Sequence, residues 1–387
     1  MLQIINVEEL KIGMYVTQVT KQSGKIRITS TGRLNSEIDI KNIVEKGILQ
    51  IEIDLSKSTH EAEHDEPVDD YVNEAGLSYK DQLNMSLKLQ DQAKTIHGSI
   101  IRRFAKGQMR DIQDVQEISF EIVDRAFDCN DAISIVTLLK QDSEYLLEHG
   151  INCSILMTLF GKHMGIEKDT LYHLGIGALL MDVGMIKMPL LLTQKPNALS
   201  AKETEKMQGH VDIGLEMVER CEKIDTASLE VIKQHHERLD GSGYPDGLRE
   251  QQISQYGRMA AIVDTYDSLT ANRPYRDALK PSDALIKMSN EELGLDHKLV
   301  ASFIECIGVN PVGSLVKLQS NQLALVLRLN TNDPLKPVVI VFYDIKSKGE
   351  IRAKQVDLSE NEDSIVSSVS PTDFSLDTLA FLKQAFA

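Results

Sequence analysis

Two adjacent histidines, His235 and His236, stand in the stretch KQHHERLDGSGYPDGL, where a helical pattern gives way to a glycine-rich turn. Neighbouring imidazoles offer neutral nitrogen donors that can address one metal ion or two adjacent ions. Mixed with Asp carboxylates, such donors suit iron, manganese or zinc. Residues of the same kinds occur at four other places: His149 in YLLEHGINCSIL, Asp182 in LLMDVGMIKMP, His210 in KMQGHVDIG and Asp264 in AIVDTYDSL. Singly each is a weak signal, because a lone histidine on an amphipathic helix is more often a satisfied core or surface group. The turn after His236 also has a purely conformational reading, in which Gly241 and Gly243 supply positive φ and Pro245 fixes the exit. The two readings are compatible.

Residues this far apart in the chain need a scaffold to meet. From about Leu77 to Gly308 apolar residues recur mainly at helical spacing, with Leu146, Cys153, Ile155, Leu156 and Leu159 as one instance, so the middle of the protein is expected to be all-α. Before it, YVTQV, KIRITS and ILQIEIDL are short β-branched runs broken by Gly13, Gly24 and Gly32, which predicts a small β-rich domain over residues 1–55. Residues 56–76 are acidic and poor in large apolar groups and read as a solvated linker, with His60 and His64 as surface residues. Residues 77–119 then form a helical connector, and 120–310 the helical domain that carries the motifs. LALVLRL and PVVIVFY, with Pro334 and Pro337 between them, predict a C-terminal β module over 311–360, and LDTLAFLKQAF a short helix in the 361–387 tail.

The 387 residues, 42% of them hydrophobic, can bury a large core. A net charge of -16 repels nucleic-acid backbones and anionic membrane surfaces, so a phosphate-bearing substrate has to be met by a local basic patch or a metal. Cys129, Cys153, Cys221 and Cys306 are widely separated, form no C-x-x-C pair and read as buried thiols. No segment approaches the roughly 18 uninterrupted apolar residues of a membrane span, and MLQIINVEEL lacks the pattern of a signal peptide. A soluble protein in a bacterial-type cytoplasm is the expectation.

HHERLDGSGYPDGL followed by DTYDSLTANRPYRDA resembles the HD-GYP family of cyclic di-GMP phosphodiesterases, a bacterial branch of the HD metal-dependent phosphohydrolases, over roughly residues 120 to 310. The two β regions also resemble extensions found on one HD-GYP subgroup. The resemblance implies that His149 and Asp264 hold one metal, that His210, His235 and His236 hold another, and that Asp182 bridges them. A metal pair about 3.5 to 4 Å apart lowers the pKa of a bridging water and clamps the phosphate oxygens, which makes Asp182 and Asp264 the catalytic carboxylates. It implies too that Arg273 and Arg276 of NRPYR meet the substrate phosphates, with a surface ion pair as the plainer alternative. The Gly243-Tyr244-Pro245 loop then borders the substrate and offers a surface for a protein partner.

One stretch departs from the family. Where the name-giving His-Asp pair belongs, this chain has Met181-Asp182, and where a lysine usually follows Gly184 it has Met185. A thioether is a soft, weak ligand that does not replace an imidazole on iron or manganese, and packing on one helix face at i, i+4 is the preferred account of both methionines. No neighbour substitutes well: His173 lies about 12 Å back along a helix at ~1.5 Å per residue, and Lys187 falls on a different face. His163 and His297 sit outside every motif and read as surface groups. The inferred centre is therefore asymmetric, with the Asp182, His210, His235 and His236 set complete and the other metal left with His149, Asp182 and Asp264. Loss of the lysine would cost on the order of 10²-fold in rate.

Two functions follow. One is a metal-dependent cyclic di-GMP phosphodiesterase, or one for a related cyclic dinucleotide, of reduced activity, using one or two divalent transition ions, iron or manganese first. The other is an inactive nucleotide-binding or protein-interaction module. A phosphohydrolase acting on a different nucleotide is a lesser third. Nucleic acid and membrane are not expected partners, and oligomeric state stays open.

Overall fold

A computed structural model describes residues 2–11, 14–23, 32–34, 40–41, 43–44, 46–54, 76–139, 145–273, 276–330, 333–374 and 376–385. KIRITS and nearly all of the acidic stretch, with His60 and His64, lie outside these residues. The chain divides into two compact units, one made of residues 1–69 with 341–354 and the other of 70–340 with 355–387.

The first unit contains strands β1 (Leu2–Asn6), β2 (Tyr15–Gln22), β3 (Gly32–Arg33) and β4 (Ile48–Asp54), in the order β1-β4-β2-β3. β4 pairs antiparallel with both β1 and β2. In ILQIEID the residues Ile48, Ile51 and Ile53 turn inward onto Ile5, Val16 and Leu34. Ile51 and Ile53 keep the period-2 alternation of a half-buried strand, from which Ile48 is offset by one residue.

The second unit is helical where the motifs lie. Its helices are α1 (Tyr79–Ala105), α2 (Gln113–Asp128), α3 (Asn130–Val136), α4 (Tyr145–His163), α5 (Lys168–Leu180), α6 (Leu190–Thr193), α7 (Ala201–Gln208), α8 (His210–Glu219), α9 (Thr226–Gln234), α10 (Gln255–Leu269), α11 (Pro281–Met288) and α12 (His297–Ile307). α1 starts on Ser78, whose hydroxyl accepts from the Asp81 amide, and α10 starts on Ser254, which caps Gly257 in the same way. α4 and α5 are buried almost all round, which makes them the centre of the bundle. Glycines let α5 fit there. A Cβ on Gly175 would lie 2.5 Å from Ser119 Oγ, and one on Gly177 would lie 2.7 Å from Val231 Cβ and 2.9 Å from Ser228 O.

After α12 come β5 (Leu315–Leu318), β6 (Gln322–Arg328), β7 (Val338–Asp344), β8 (Gly349–Asp357) and β9 (Ile365–Ser368), then α13 (Thr378–Ala385). The sheet order is β8-β7-β6-β5-β9. The expected architecture, a helical domain flanked by a small β-rich domain and a C-terminal β module, is the observed one. All four cysteines are free, three of them buried and Cys306 partly so. Among the described residues no helix is long and apolar enough to cross a membrane.

The expected pairing of Met181 and Met185 on one helix face needs correcting. α5 ends at Leu180, Met181 caps it, and Met185 sits in a separate 3-10 turn spanning Val183–Lys187. Only Met181 is fully buried, at 1% exposure. The break arises because the Met185 amide bonds back to Asp182 O at 2.9 Å, a three-residue closure that turns the chain off the α-helical path.

Candidate metal centre

Five segments deliver the site. Asp182 occupies the junction between α5 and the 3-10 turn, and His210 is the first residue of α8. They meet because Gly184 lacks a side chain: a Cβ there would fall 2.0 Å from His210 O and 2.7 Å from Gly214 N. His235 ends α9, with His236 next in the chain, and Asp264 lies within α10. His149 comes from the buried α4.

These side chains converge on Asp182. His210 Nε2 and His235 Nε2 lie 3.2 and 3.9 Å from its Oδ1, and His149 Nε2 lies 3.3 Å from its Oδ2. His149 Nε2 is also 3.1 Å from Asp264 Oδ1, and His236 Nδ1 is 3.5 Å from Asp264 Oδ2. Donor atoms of Asp182, His210, His235 and His236 all fall within 4.8 Å of one another. His149, His210 and His235 are almost fully buried, whereas Asp182 and His236 keep 19% and 18% of their side chains exposed and form the solvent-facing part.

The hydrogen bonds decide which ring nitrogens remain available. His210 Nδ1 donates to Met207 O at 2.7 Å and His235 Nδ1 to Ile232 O at 2.8 Å, which leaves each Nε2 as a lone pair. Both Nε2 atoms are buried without a hydrogen-bond partner; at 3.2 Å from Asp182, His210 Nε2 lies off the line that a hydrogen bond requires. His149 Nδ1 is held by Asp267 Oδ2 at 2.7 Å, so its Nε2 faces two carboxylates. Lone pairs buried against carboxylates are stable only with a cation or proton between them. The residues therefore fit a divalent ion.

Electrostatics agree. Burial alone would raise the Asp182 carboxyl, but the close approach of His210 and the imidazoles of His149 and His235 outweigh it and hold Asp182 well below the carboxylate range. Burial likewise opposes ionisation of Asp264, and His149 and His236 overcome it. Desolvation presses His235 down and His236 far down, toward the neutral imidazole that ligates. Burial opposes ionisation of His210, but the Asp182 carboxylate 3.2 Å away outweighs it and raises the ring.

Some positioning residues were not legible as such. Asp267, one turn after Asp264 on an otherwise apolar helix face, orients His149 and in turn accepts from Asn152 Nδ2 at 3.1 Å. Its signal was the Asp-x-x-Asp spacing within an apolar helix. Cys153 Sγ lies 3.7 Å from His149 Nδ1, but burial pushes its thiol up to about 12 and keeps it protonated. Glu237, 2% exposed, accepts from the amides of Asp246 and Leu248 at 2.8 and 2.9 Å and pins the glycine-rich loop.

That loop lies against the site, with the Tyr244 ring 4.6 Å from the His236 ring and a cis bond between Tyr244 and Pro245. Gly241 has the expected positive φ of 78°, but Gly243 does not adopt one. Gly243 is required for space instead, since a Cβ would lie 2.4 Å from Arg238 N and 2.6 Å from His236 O. Arg273 and Arg276 are brought to the C-terminal end of α10, where Nη2 of Arg273 donates to Ser268 Oγ at 3.3 Å and Nη2 of Arg276 to Ser268 O at 2.5 Å. Ser268 is one helical turn, about 6 Å, beyond Asp264. Lys187 is committed elsewhere, to Ala105 O at 2.9 Å. His163 and His297 are exposed, as expected.

This helical bundle gathers His and Asp side chains from separate helices around one central carboxylate, an arrangement that could hold a metal ion. Residues 135–299 match the HD domain family, in keeping with the resemblance of the sequence motifs. Residues 2–128 match a family described as a domain of unknown function, DUF3391. The chain is 28% identical over 381 residues to a Pseudomonas aeruginosa protein named cyclic di-GMP phosphodiesterase PA4108, covering 92% of this chain and 89% of that one. A Thermotoga maritima cyclic di-GMP phosphodiesterase is 35% identical over 148 residues, 37% of this chain and 40% of the relative. Among solved structures, the Bdellovibrio bacteriovorus HDG"Y"P protein Bd1817 shares the fold at a TM-score of 0.50 and 17% identity, covering 79% of this chain and 99% of that one.

Proposed function

We propose that the chain is a metal-dependent phosphodiesterase for cyclic di-GMP or a related cyclic dinucleotide. One divalent transition ion would sit tightly among Asp182, His210, His235 and His236, and a second more weakly at His149, Asp182 and Asp264. The observation that carries this reading is the set of buried Nε2 atoms on His149, His210 and His235, each with its Nδ1 already committed and each directed at Asp182. Iron or manganese fits better than a thiophilic ion, because the donors are imidazole and carboxylate and Cys153 stays a thiol.

When bound, such ions acidify water and offset the charge on a phosphodiester. The chain's own residues hold the geometry. Asp267 and the carbonyls of Met207 and Ile232 fix three imidazoles in the ligating tautomer, and Asp182 and His236 present the open side to substrate. Tyr244 packs its ring against that of His236 and borders the open side, and Arg273 with Arg276 would supply the positive charge that an anionic dinucleotide needs. Residues 120–310 carry the site in this reading, in a cytoplasmic setting.

Met181 and Met185 favour a second reading, binding without turnover, because neither can supply the imidazole or the ammonium of the family pattern. The experiment is to purify the protein anaerobically, measure its metal, and follow linear product from cyclic di-GMP and from 3'3'-cGAMP with Mn²⁺ or Fe²⁺. Slow hydrolysis abolished by His235→Ala supports the enzyme. Tight binding of either dinucleotide with no product supports the second reading.

A further inference from the structure

α1 reaches the first turn of α4 through three successive contacts. Lys94 Nζ lies 2.6 Å from Glu148 Oε1, with only 13% and 4% of the two side chains exposed. His97, 2% exposed, places Nδ1 3.1 Å from Leu147 O and Nε2 2.9 Å from Leu179 O. Gly98 faces Leu147, which would lie 3.6 Å from an added Cβ. Lys94, His97 and Gly98 share one helix face at i, i+3 and i+4. Their targets, Leu147 and Glu148, immediately precede His149, and Leu179 lies two residues before Met181.

The fit depends on a glycine. A Cβ on Gly150 would lie 2.8 Å from His97 Cε1 and 3.1 Å from Leu179 O, so the residue after His149 is bare where the ring inserts. The first turn of a helix makes few bonds of its own, and its placement depends on outside partners. A neutral imidazole donates from one nitrogen only, so the ring bonds one of its two facing carbonyls and packs against the other.

We propose that His97 and Lys94 are positioning residues that clamp the start of α4 to α1 and the end of α5, and thereby set the aim of the His149 ring at Asp182 and Asp264. The consequence for metal rests on the reading of His149 as a ligand. The clamp itself does not. With Met181 giving no imidazole, the His149 half of the centre has the fewest donors, so it responds most to a small displacement.

Hydrogen exchange on the full-length chain, without metal and with Mn²⁺, tests this on His97→Ala, His97→Gln, Lys94→Met and a remote core control, Val326→Ala. His97→Ala should speed exchange of the amides of residues 149–153 about tenfold while leaving α9 unchanged, and His97→Gln, which restores a donor, should recover part of the protection. Mn²⁺ titration should show the weaker-binding step lowered about tenfold, the usual effect of losing a group that orients a ligand. Unchanged exchange at 149–153, or a change of the same size in Val326→Ala, overturns the clamp. If the parent protein hydrolyses no cyclic dinucleotide while the exchange pattern appears as described, the phosphodiesterase reading fails and the clamp stands.

Discussion

At His210 and Asp182 the chemistry of one proton sets the pH response of the whole centre. His235 and His236 are already pressed toward the neutral ring, whereas Asp182 raises His210 above its ordinary value, so His210 is the imidazole that must give up a proton to take a metal. Below the pKa of His210, metal affinity should fall about tenfold per pH unit, with a slope near one rather than three. Titrations in buffers of different ionisation enthalpy would count the proton. In the metal-free protein the sign follows from linkage. Depressed His235 and His236 stay neutral when folded and take protons only when unfolded, so their contribution to stability is lost as pH falls below their ordinary value of 6.5. His210 has the opposite sign: its contribution is full below that value and lost as pH rises through the raised pKa. Two such groups against one should make metal-free melting temperatures fall between pH 7 and 5. The histidine pair and its loop were legible in KQHHERLDGSGYP because chemistry and turn residues are adjacent there. Asp267 was not, since nothing in a spacing of three says which of two carboxylates orients an imidazole and which faces a metal. Met181→His with Met185→Lys should raise cyclic di-GMP hydrolysis well above the parent, the pair exceeding the sum of the singles in steady-state rates.

Among the elements, two glycines decide whether α5, α8 and the loop can approach. Gly184→Ala would drive a methyl group into His210 O and Gly214 N, both backbone atoms that cannot swing aside. It should cost at least about 1–3 kcal/mol in chemical denaturation and loosen the tightly held metal. Gly243→Ala, blocked by Arg238 N and Glu237 Cα at 2.4 and 2.5 Å, should move the loop with a similar penalty. Metal content by elemental analysis separates them: Gly184→Ala loses metal, while Gly243→Ala chiefly weakens substrate binding. Helix positions were readable from apolar spacing across 77–308, but the end of α5 was not. Met181 and Met185 keep helical spacing through a backbone that has already turned, and only the bond from Met185 N to Asp182 O reveals it.

For the whole molecule, the order of domains along the chain is not the order of compact units. Residues 341–354, from β7 and β8, group with residues 1–69, while β7 and β8 themselves belong to the five-stranded C-terminal sheet that the sequence spacing led one to expect. Alternating apolar residues say that a strand has a buried face, not which part of the chain covers it. Deleting residues 1–76 should therefore leave a helical core that still binds metal while hydrogen exchange in 341–354 rises sharply. A truncation that binds no metal would show that the core depends on the deleted segment. The same grouping has a consequence for biosynthesis. A polypeptide leaves the ribosome from its N-terminus at about 5–20 residues per second, and domains generally fold as they emerge. The core of the N-terminal sheet, built from Ile5, Val16, Leu34, Ile48, Ile51 and Ile53, lies wholly within the first fifty-four residues, so on the translating ribosome it can gather before the metal-binding helices exist, and residues 341–354 join that unit only near the end of synthesis.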